Sequence, residues 1–424
     1  MSRSLLRMDV SPLRGSGAAS FRMLYASRSV TLFGTQATGV ALLVQAKQLT
    51  GSAFAVGLLG VAELVPLVVF GLYGGVLADR LDRRRLLRWC EAGLGLLAAG
   101  LAGNAVLPHP AVWPLYALAA GMSVLTALQR PSLDAAIPRT VPRDQLAAAA
   151  ALLSVSGNGG AIIGATLGGA IAAGPGAGWV YGFDTVSFAI SFLLLCRLKP
   201  LPPAAAGEHA PGPGLRAILA GLRYARGRPD LLGSYLADLA AMTLAYPNAL
   251  IPFIAAGLHS SWAVGLMFAA PSVGSLAVSA TGGWLGRVRR YGRAIALAAA
   301  GWGLAITGFG LAPDLALALG CLFAAGAADM ISGIFRATLW NQTIPDELRG
   351  RLAGVEMLSY SVGPSAGQLG AGGVASVTTP RFAAASGGLL CVAAVGVVCL
   401  ALPAFWSFSG RAPEVRPAPE PLAR

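Results

Sequence analysis

The chain has 424 residues, 55% hydrophobic and 12% charged, where a soluble domain carries about 25% charged residues. This excludes an ordinary soluble domain and points to a bilayer as solvent, because runs of about 20 apolar residues cross a ~30 Å hydrocarbon core as helices. The formal net charge of +13 raises nucleic acid as a partner, but the bases sit in or beside alternate loops, and no soluble basic face with aromatic platforms is available to bind it.

Hydrophobic runs predict about twelve spans. They lie near 24–46, 54–78, 86–107, 112–130, 146–173, 179–196, 231–257, 262–286, 293–311, 314–340, 351–376 and 381–406. Arg3, Arg7, Arg14, Arg22 and Arg28 precede or open the first span. That span is long, flecked with Ser29, Thr31, Gln36 and Thr38, and has no A-x-A exit. It is expected to be a retained helix facing a cavity rather than a cleaved signal peptide. The second and third spans are separated by the dense charges of 79–88, and Arg130, Arg139 and Arg143 follow the fourth. Residues 197–230 are rich in Pro, Ala and Gly, then basic. They read as a linker dividing the chain into a bundle over 1–196 and another over 231–410, with a tail over 411–424. Arg287, Arg289, Arg290 and Arg293 follow the eighth span, and Arg336, Arg349 and Arg351 flank the loop after the tenth. The intervening loops hold little beyond Lys47 and Arg381. This alternation puts an even number of spans in an inner membrane with both termini cytoplasmic.

Other chemistries find no purchase. Cys90, Cys196, Cys321, Cys391 and Cys399 are scattered without C-x-x-C spacing, so neither a metal site nor a disulfide frame is indicated. His109, His209 and His259 stand alone in loops. No HExxH, no P-loop and no Ser/His/Asp set is present, so the chain is expected to be neither an enzyme nor a self-contained ATP-driven pump, and no cofactor is expected.

Residues 74–85 read GGVLADRLDRRR. Gly75, Asp79, Arg80, Arg83 and Arg84 match the pattern G-x-x-x-D-R-x-G-R-R, with Asp82 where its second glycine stands. This resembles the loop between the second and third helices of major facilitator superfamily transporters. The resemblance implies an all-α membrane protein of twelve transmembrane helices in two pseudo-symmetric six-helix bundles. It also implies that Asp79 contacts the start of the eleventh helix as an inner latch, with Arg83 pairing to Asp134. The plainer reading is that these arginines only set topology.

The halves repeat each other, as in duplicated transporters. The sequence GGWLGRVRR over 282–290 follows the eighth span as 74–85 follows the second, with Gly286 in place of the acid. In the fifth span, Gly160, Gly164, Gly168 and Gly169 keep small-residue spacing, and Gly363, Pro364 and Gly367 do so in the eleventh. Such a stripe serves helix packing in any membrane protein. The matched copies also resemble the G-x-x-x-G-P-x-x-G-G pattern of facilitator antiporters, although Ala165 stands where that family has proline. The segments 326–336 and 341–351 look like the branch that holds enterobactin exporters and macrolide efflux proteins.

Acidic residues inside a bilayer are costly, and each marks a functional hypothesis. Glu63 falls about 22 Å from the inner end of the second span and Asp238 about 10 Å into the seventh. Asp329 falls in the inner half of the tenth. Proton coupling needs a cavity-facing carboxyl held near neutrality by desolvation, and these three are the coupling candidates. Asp329 has a second reading, an ion pair with Arg336 two turns along the same face. Asp184 reads as a helix cap or hydrogen-bonding group. Glu91 and Glu356 read as boundary groups that water reaches. The resemblance implies a cavity lined by spans one, four, seven and ten, with Gln36, Gln129, Met242, Tyr246, Asn248 and Met330 as candidates. Few charges there suit a large amphipathic cargo. The expectation is a monomeric transporter exporting a lipophilic drug-like compound or siderophore in exchange for protons. An importer on the same fold, or a receptor that does not transport, is the alternative.

Overall fold

The computed structural model describes residues 11–13, 19–80, 82–198, 223–224, 226–344 and 346–410, with side chains at all of these except 72–80, 135, 143 and 346–360. Most of the expected linker, and the tail 411–424, lie outside them.

A helix falls on each expected apolar run. These are α1 (Ala19–Thr50), α2 (Ala53–Arg80), α3 (Arg83–Ala105), α4 (Trp113–Thr140), α5 (Leu146–Ile171) and α6 (Ala177–Cys196), then α7a (Pro229–Leu244) and α7b (Ile251–Gly257). The second half continues with α8 (Val264–Thr281), α9 (Tyr291–Leu311), α10 (Leu315–Thr343), α11 (Asp346–Val377) and α12 (Pro380–Ala401), and a short α13 (Pro403–Ser407) follows. Among the described residues, seven helical stretches are long and apolar enough to cross a membrane, one of them the continuous Leu146–Cys196 that contains both α5 and α6. The exterior carries exposed Leu96, Leu193, Val397 and Leu400. Water would penalise such a surface, and lipid does not. Exposed tryptophans gather near helix ends, Trp113, Trp179 and Trp262 at one face and Trp89 and Trp284 at the other, as in an interfacial belt.

The packing is duplicated. α1 lies against α5 and α6, α3 against α4 and α6, and α2 against α4. Six helices later, α7a lies against α11 and α12, α9 against α10 and α12, and α8 against α10. The two bundles meet where α2 crosses α11 and where α5 crosses α8.

Local chemistry explains the interruptions. The seventh span is not one helix: it stops at Leu244 and resumes at Ile251. Pro247 lacks an N–H and disfavours a helical Tyr246 before it, and Pro252 suits the first turn of α7b. The Ala245 carbonyl freed by the break accepts a hydrogen bond from Trp302 Nε1 of α9 at 3.0 Å, which meets the demand that backbone groups at membrane depth be satisfied. Between α5 and α6 a π-helical turn over Ala172–Gly176 ends on Gly176 at φ 118°, a backbone open mainly to glycine. Asp314 and Thr379 cap α10 and α12, accepting from Leu317 N at 2.8 Å and Phe382 N at 3.1 Å.

Candidate functional site

The site begins with glycines. Gly164 and Gly168 of α5 lie so close to α1 that a Cβ on either would meet the Phe33 carbonyl or the Ala37 backbone. Gly160 sits in the same way against Leu32. In the second half, Gly363 and Gly367 of α11 bed against Met242 and Tyr246 of α7a and the break that follows it. Small residues allow this approach where side chains would hold the helices apart. Each glycine stripe therefore seats the helix that presents cavity residues: Gln36 from α1 and Met242 and Tyr246 from the seventh span.

Gly169 abuts the backbone of Gly265 in α8, and Gly265 abuts the Ala165 and Thr166 carbonyls. Gly57 and Gly60 of α2 close on Gln368 and Ser365 of α11, and Gly372 closes on Ala53. These crossings lie toward the face of the 51–52 and 258–263 connections, and Ala165 and Gln368 belong both to them and to the cavity lining. Lys47 adds a tie there, donating to the Pro252 carbonyl at 2.7 Å with its ammonium 5.3 Å from the Phe253 ring centre. The bundles are thus sealed together at the face opposite the arginines.

Inward of that seal lies a cavity of about 520 Å³. Gln36, Glu63, Met242, Tyr246, Asn248 and Asp329 line it, with Trp302, Ser272, Ser275 and Gln368. Asn248 Nδ2 donates to the Tyr246 hydroxyl at 3.0 Å. Tyr246 lies within electrostatic range of both Glu63 and Asp329, so the cavity is an acidic chamber that holds an aromatic hydroxyl near both carboxyls. No Lys or Arg is among its described lining residues. Its walls come from α2, α5, α8, α9 and α11 as well as α1, the seventh span and α10, and α4 contributes none of the described lining residues.

Two expected liners lie elsewhere. Gln129 is turned into the N-terminal bundle, where its Nε2 donates to Glu91 Oε1 at 2.7 Å. Met330 packs against the hydrophobic core. Asp238 does not line the cavity either: it forms an ion pair with Arg336, and the two side chains are 3% and 2% exposed. The anticipated Asp329–Arg336 pair is therefore replaced by one between α7a and α10, with Asp329 still within electrostatic range of both partners. One turn along, Trp340 stacks on Tyr235 at 4.8 Å between ring centres and donates to the Ser234 hydroxyl at 3.1 Å.

Glu91 is 4% exposed, not the water-reached boundary group that its position in the third span suggests, because α3 begins at Arg83 and carries it about 12 Å inward. Asp184 is fully buried and accepts from Thr38 Oγ1 at 2.7 Å and Ser187 Oγ at 3.1 Å.

The signature over 74–85 is largely helical, since α2 runs to Arg80. The side chains of 72–80, which include Gly75, Asp79 and Arg80, and those of 346–360 at the start of α11, Glu356 among them, lie outside the described ones. Asp82, the departure from the family pattern, caps α3 by accepting from Arg85 N at 3.1 Å. Arg84 donates to the Cys196 carbonyl at 2.5 Å and the Leu195 carbonyl at 3.3 Å, closing the C-terminus of α6, where orphan carbonyls and the helix dipole favour a cation. Arg83 is 1% exposed, whereas Asp134 is exposed and forms no ion pair with it.

The residues that sequence reasoning missed, Trp302, Ser272 and Ser275, reach the cavity from helices not expected to line it. The Tyr246-Pro247-Asn248 interruption was the available signal for the chamber's floor.

The family model described as transmembrane secretion effector matches residues 9–422. The enterobactin exporter EntS of Citrobacter koseri is 31% identical over 398 residues, covering 92% of each chain. That of Shigella boydii serotype 18 is 30% identical over 383 residues, covering 87% of this chain and 88% of its own. The solved nucleoside transporter NupG is similar at a TM-score of 0.72 and 12% identity, over 91% of this chain and 99% of its own. A POT family transporter in complex with 5-aminolevulinic acid gives 0.71 at 10% identity, over 93% of this chain and 98% of its own. Both structures share the fold.

Proposed function

The chain belongs to the transmembrane secretion effector family of major facilitator transporters, and we propose that it exports a siderophore or a related lipophilic small molecule by alternating access in exchange for protons. The observation that carries this reading is the acidic chamber between the bundles, where Glu63 and Asp329 share one cavity sealed at the face opposite the arginines. A carboxyl that alternately meets cargo and proton is what coupling requires. Export of a siderophore takes its support from the whole-length likeness to enterobactin exporters. The carboxyls of Glu63 and Asp329, with no Lys or Arg among the described lining residues, favour an uncharged or cationic cargo over an anionic one, so a metal-free siderophore suits the chamber better than an anionic complex.

In this reading the arginine-rich face is cytoplasmic, with both termini on that side. The sealed face looks outward, and the protein rests open to the cytoplasm as a monomer. Residues 1–196 and 231–410 are the two moving bundles, joined by 197–230. Asp79 latches the cytoplasmic side only after the bundles rock to the other state, its carboxylate meeting the dipole at the start of α11. The glycine stripes of α5 and α11 are the bearing surfaces of that motion. Cargo and proton then shift a two-state equilibrium.

Secretion from cells lacking and carrying the gene tests the reading. The expected result is siderophore retained inside the cells that lack it and released again when the gene is restored. Equal secretion of siderophores, with equal accumulation of a panel of lipophilic antibiotics, would overturn it.

A further inference from the structure

The N-terminal bundle holds two carboxyl groups that the cavity does not use. Glu91 of α3 and Asp184 of α6 are 4% and 0% exposed, and neither lines the chamber. They are joined by a file of small polar groups. Asp184, Ser187 and Ser191 share one face of α6 at helical spacing, Thr38 bonds Asp184 from α1, and Ser191 shares a 2.5 Å hydrogen bond with Ser27 of α1. Glu91 lies within electrostatic range of Asp184 and beside Ser191, with Gln129 of α4 on its Oε1. Its other oxygen, Oε2, is buried without a hydrogen-bond partner.

Among the described residues, no base forms an ion pair with these acids. Arg88, one turn from Glu91 on α3, is turned to the Phe192 ring, its guanidinium carbon 5.6 Å from the ring centre. Arg28 of α1, Arg130 of α4 and Arg88 form no ion pair with either carboxyl, and Cys90 beside Glu91 and Tyr181 one turn from Asp184 are titratable neighbours that carry no positive charge. A buried carboxylate without a counter-charge is costly, and taking up a proton removes that cost.

We propose that Glu91 and Asp184 form a second proton-binding station of the transport cycle, enclosed in the N-terminal bundle and separate from Glu63 and Asp329. α1 links the two. Its Gln36, Gly39 and Val40 line the cavity, while Thr38 bonds Asp184 and Gly34 lies directly against the Asp184 carboxyl. Cargo that displaces α1 therefore alters the donors around Asp184 and the proton it holds. The station's place in the cycle rests on proton-coupled transport; the presence of its proton does not.

Infrared spectra of purified wild type, Glu91→Gln and Asp184→Asn, beside the pH profile of cargo transport in proteoliposomes, form the test. Gln and Asn are near-isosteric, and Thr38→Val provides a variant that keeps both carboxyls while removing one donor. The expected result is that Glu91→Gln and Asp184→Asn each remove part of the protonated-carboxyl carbonyl band at neutral pH. Thr38→Val should shift the band without removing it. Both carboxyl variants should also flatten the transport pH profile. A band unchanged in both carboxyl variants overturns the proposal. So does a lost band with a wild-type transport profile, which would make the proton a fixed structural one. Wild-type protein that ignores an imposed pH gradient would instead refute coupling in general, while the band still reports on this pair.

Discussion

The two bundles share a packing plan helix for helix, yet they solve the burial of acid in opposite ways. In the C-terminal bundle Asp238 is answered by Arg336, a matched ion pair between α7a and α10. In the N-terminal bundle Asp184 and Glu91 are answered, among the described residues, by hydroxyls and an amide, from Thr38, Ser187, Ser191 and Gln129. A duplicated fold therefore fixes where helices meet without fixing charge. One half answers Asp238 with a base, and the other leaves Asp184 and Glu91 without one among the described residues.

The comparison breaks most visibly at the ion pair. Asp238→Asn leaves Arg336 buried against a neutral partner, and removing one member of a buried pair costs about 3–5 kcal/mol. The expected outcome is a large loss of folded protein in detergent, measured by thermal unfolding, with partial recovery in the Asp238→Asn/Arg336→Gln double variant. Next comes the seal. Gly169→Val forces a branched side chain into the Gly265 backbone, and overpacking of this kind costs about 1–3 kcal/mol. Because the contact exists only when this face is closed, the substitution should favour the other state, read as faster labelling of cysteines placed beyond the seal. Glu91→Gln is expected to cost less than about 1 kcal/mol, because no charged partner is orphaned. Equal unfolding shifts for Glu91→Gln and Asp238→Asn would erase the distinction between the halves. The smallest effect belongs to Lys47→Met, which removes one cation–π contact and one hydrogen bond at a partly exposed site, about 0.5–1 kcal/mol. It should increase outward labelling modestly.

The architecture was legible because its signals are local. Arginines alternate between loops, apolar runs have membrane length, and the stripes at Gly160–Gly164–Gly168 and Gly363–Gly367 repeat six spans apart. Part of the site was legible too, since Glu63, Asp329, Gln36, Tyr246 and Asn248 do face one chamber. What stayed hidden depends on neighbours rather than on spacing. Helical period gives the face on which Gln129 lies, but not that α3 carries Glu91 to meet it. Arg336 is two turns from Asp329 in sequence, yet Asp238 arrives from another helix and takes the pair. Hydropathy reads straight across Tyr246-Pro247-Asn248, and the break survives there because Trp302 of α9 satisfies the Ala245 carbonyl.

The central claim is that Glu63 and Asp329 exchange protons for cargo in one chamber. Proteoliposomes holding purified protein, loaded with a metal-free siderophore and subjected to a pH jump, test it most directly. The account predicts cargo movement against its gradient and opposite to proton flow in wild type. In Glu63→Gln and Asp329→Asn that accumulation should be lost, while cargo binding persists. Wild-type accumulation in the same direction as the protons, or full gradient-driven export in both variants, would contradict it.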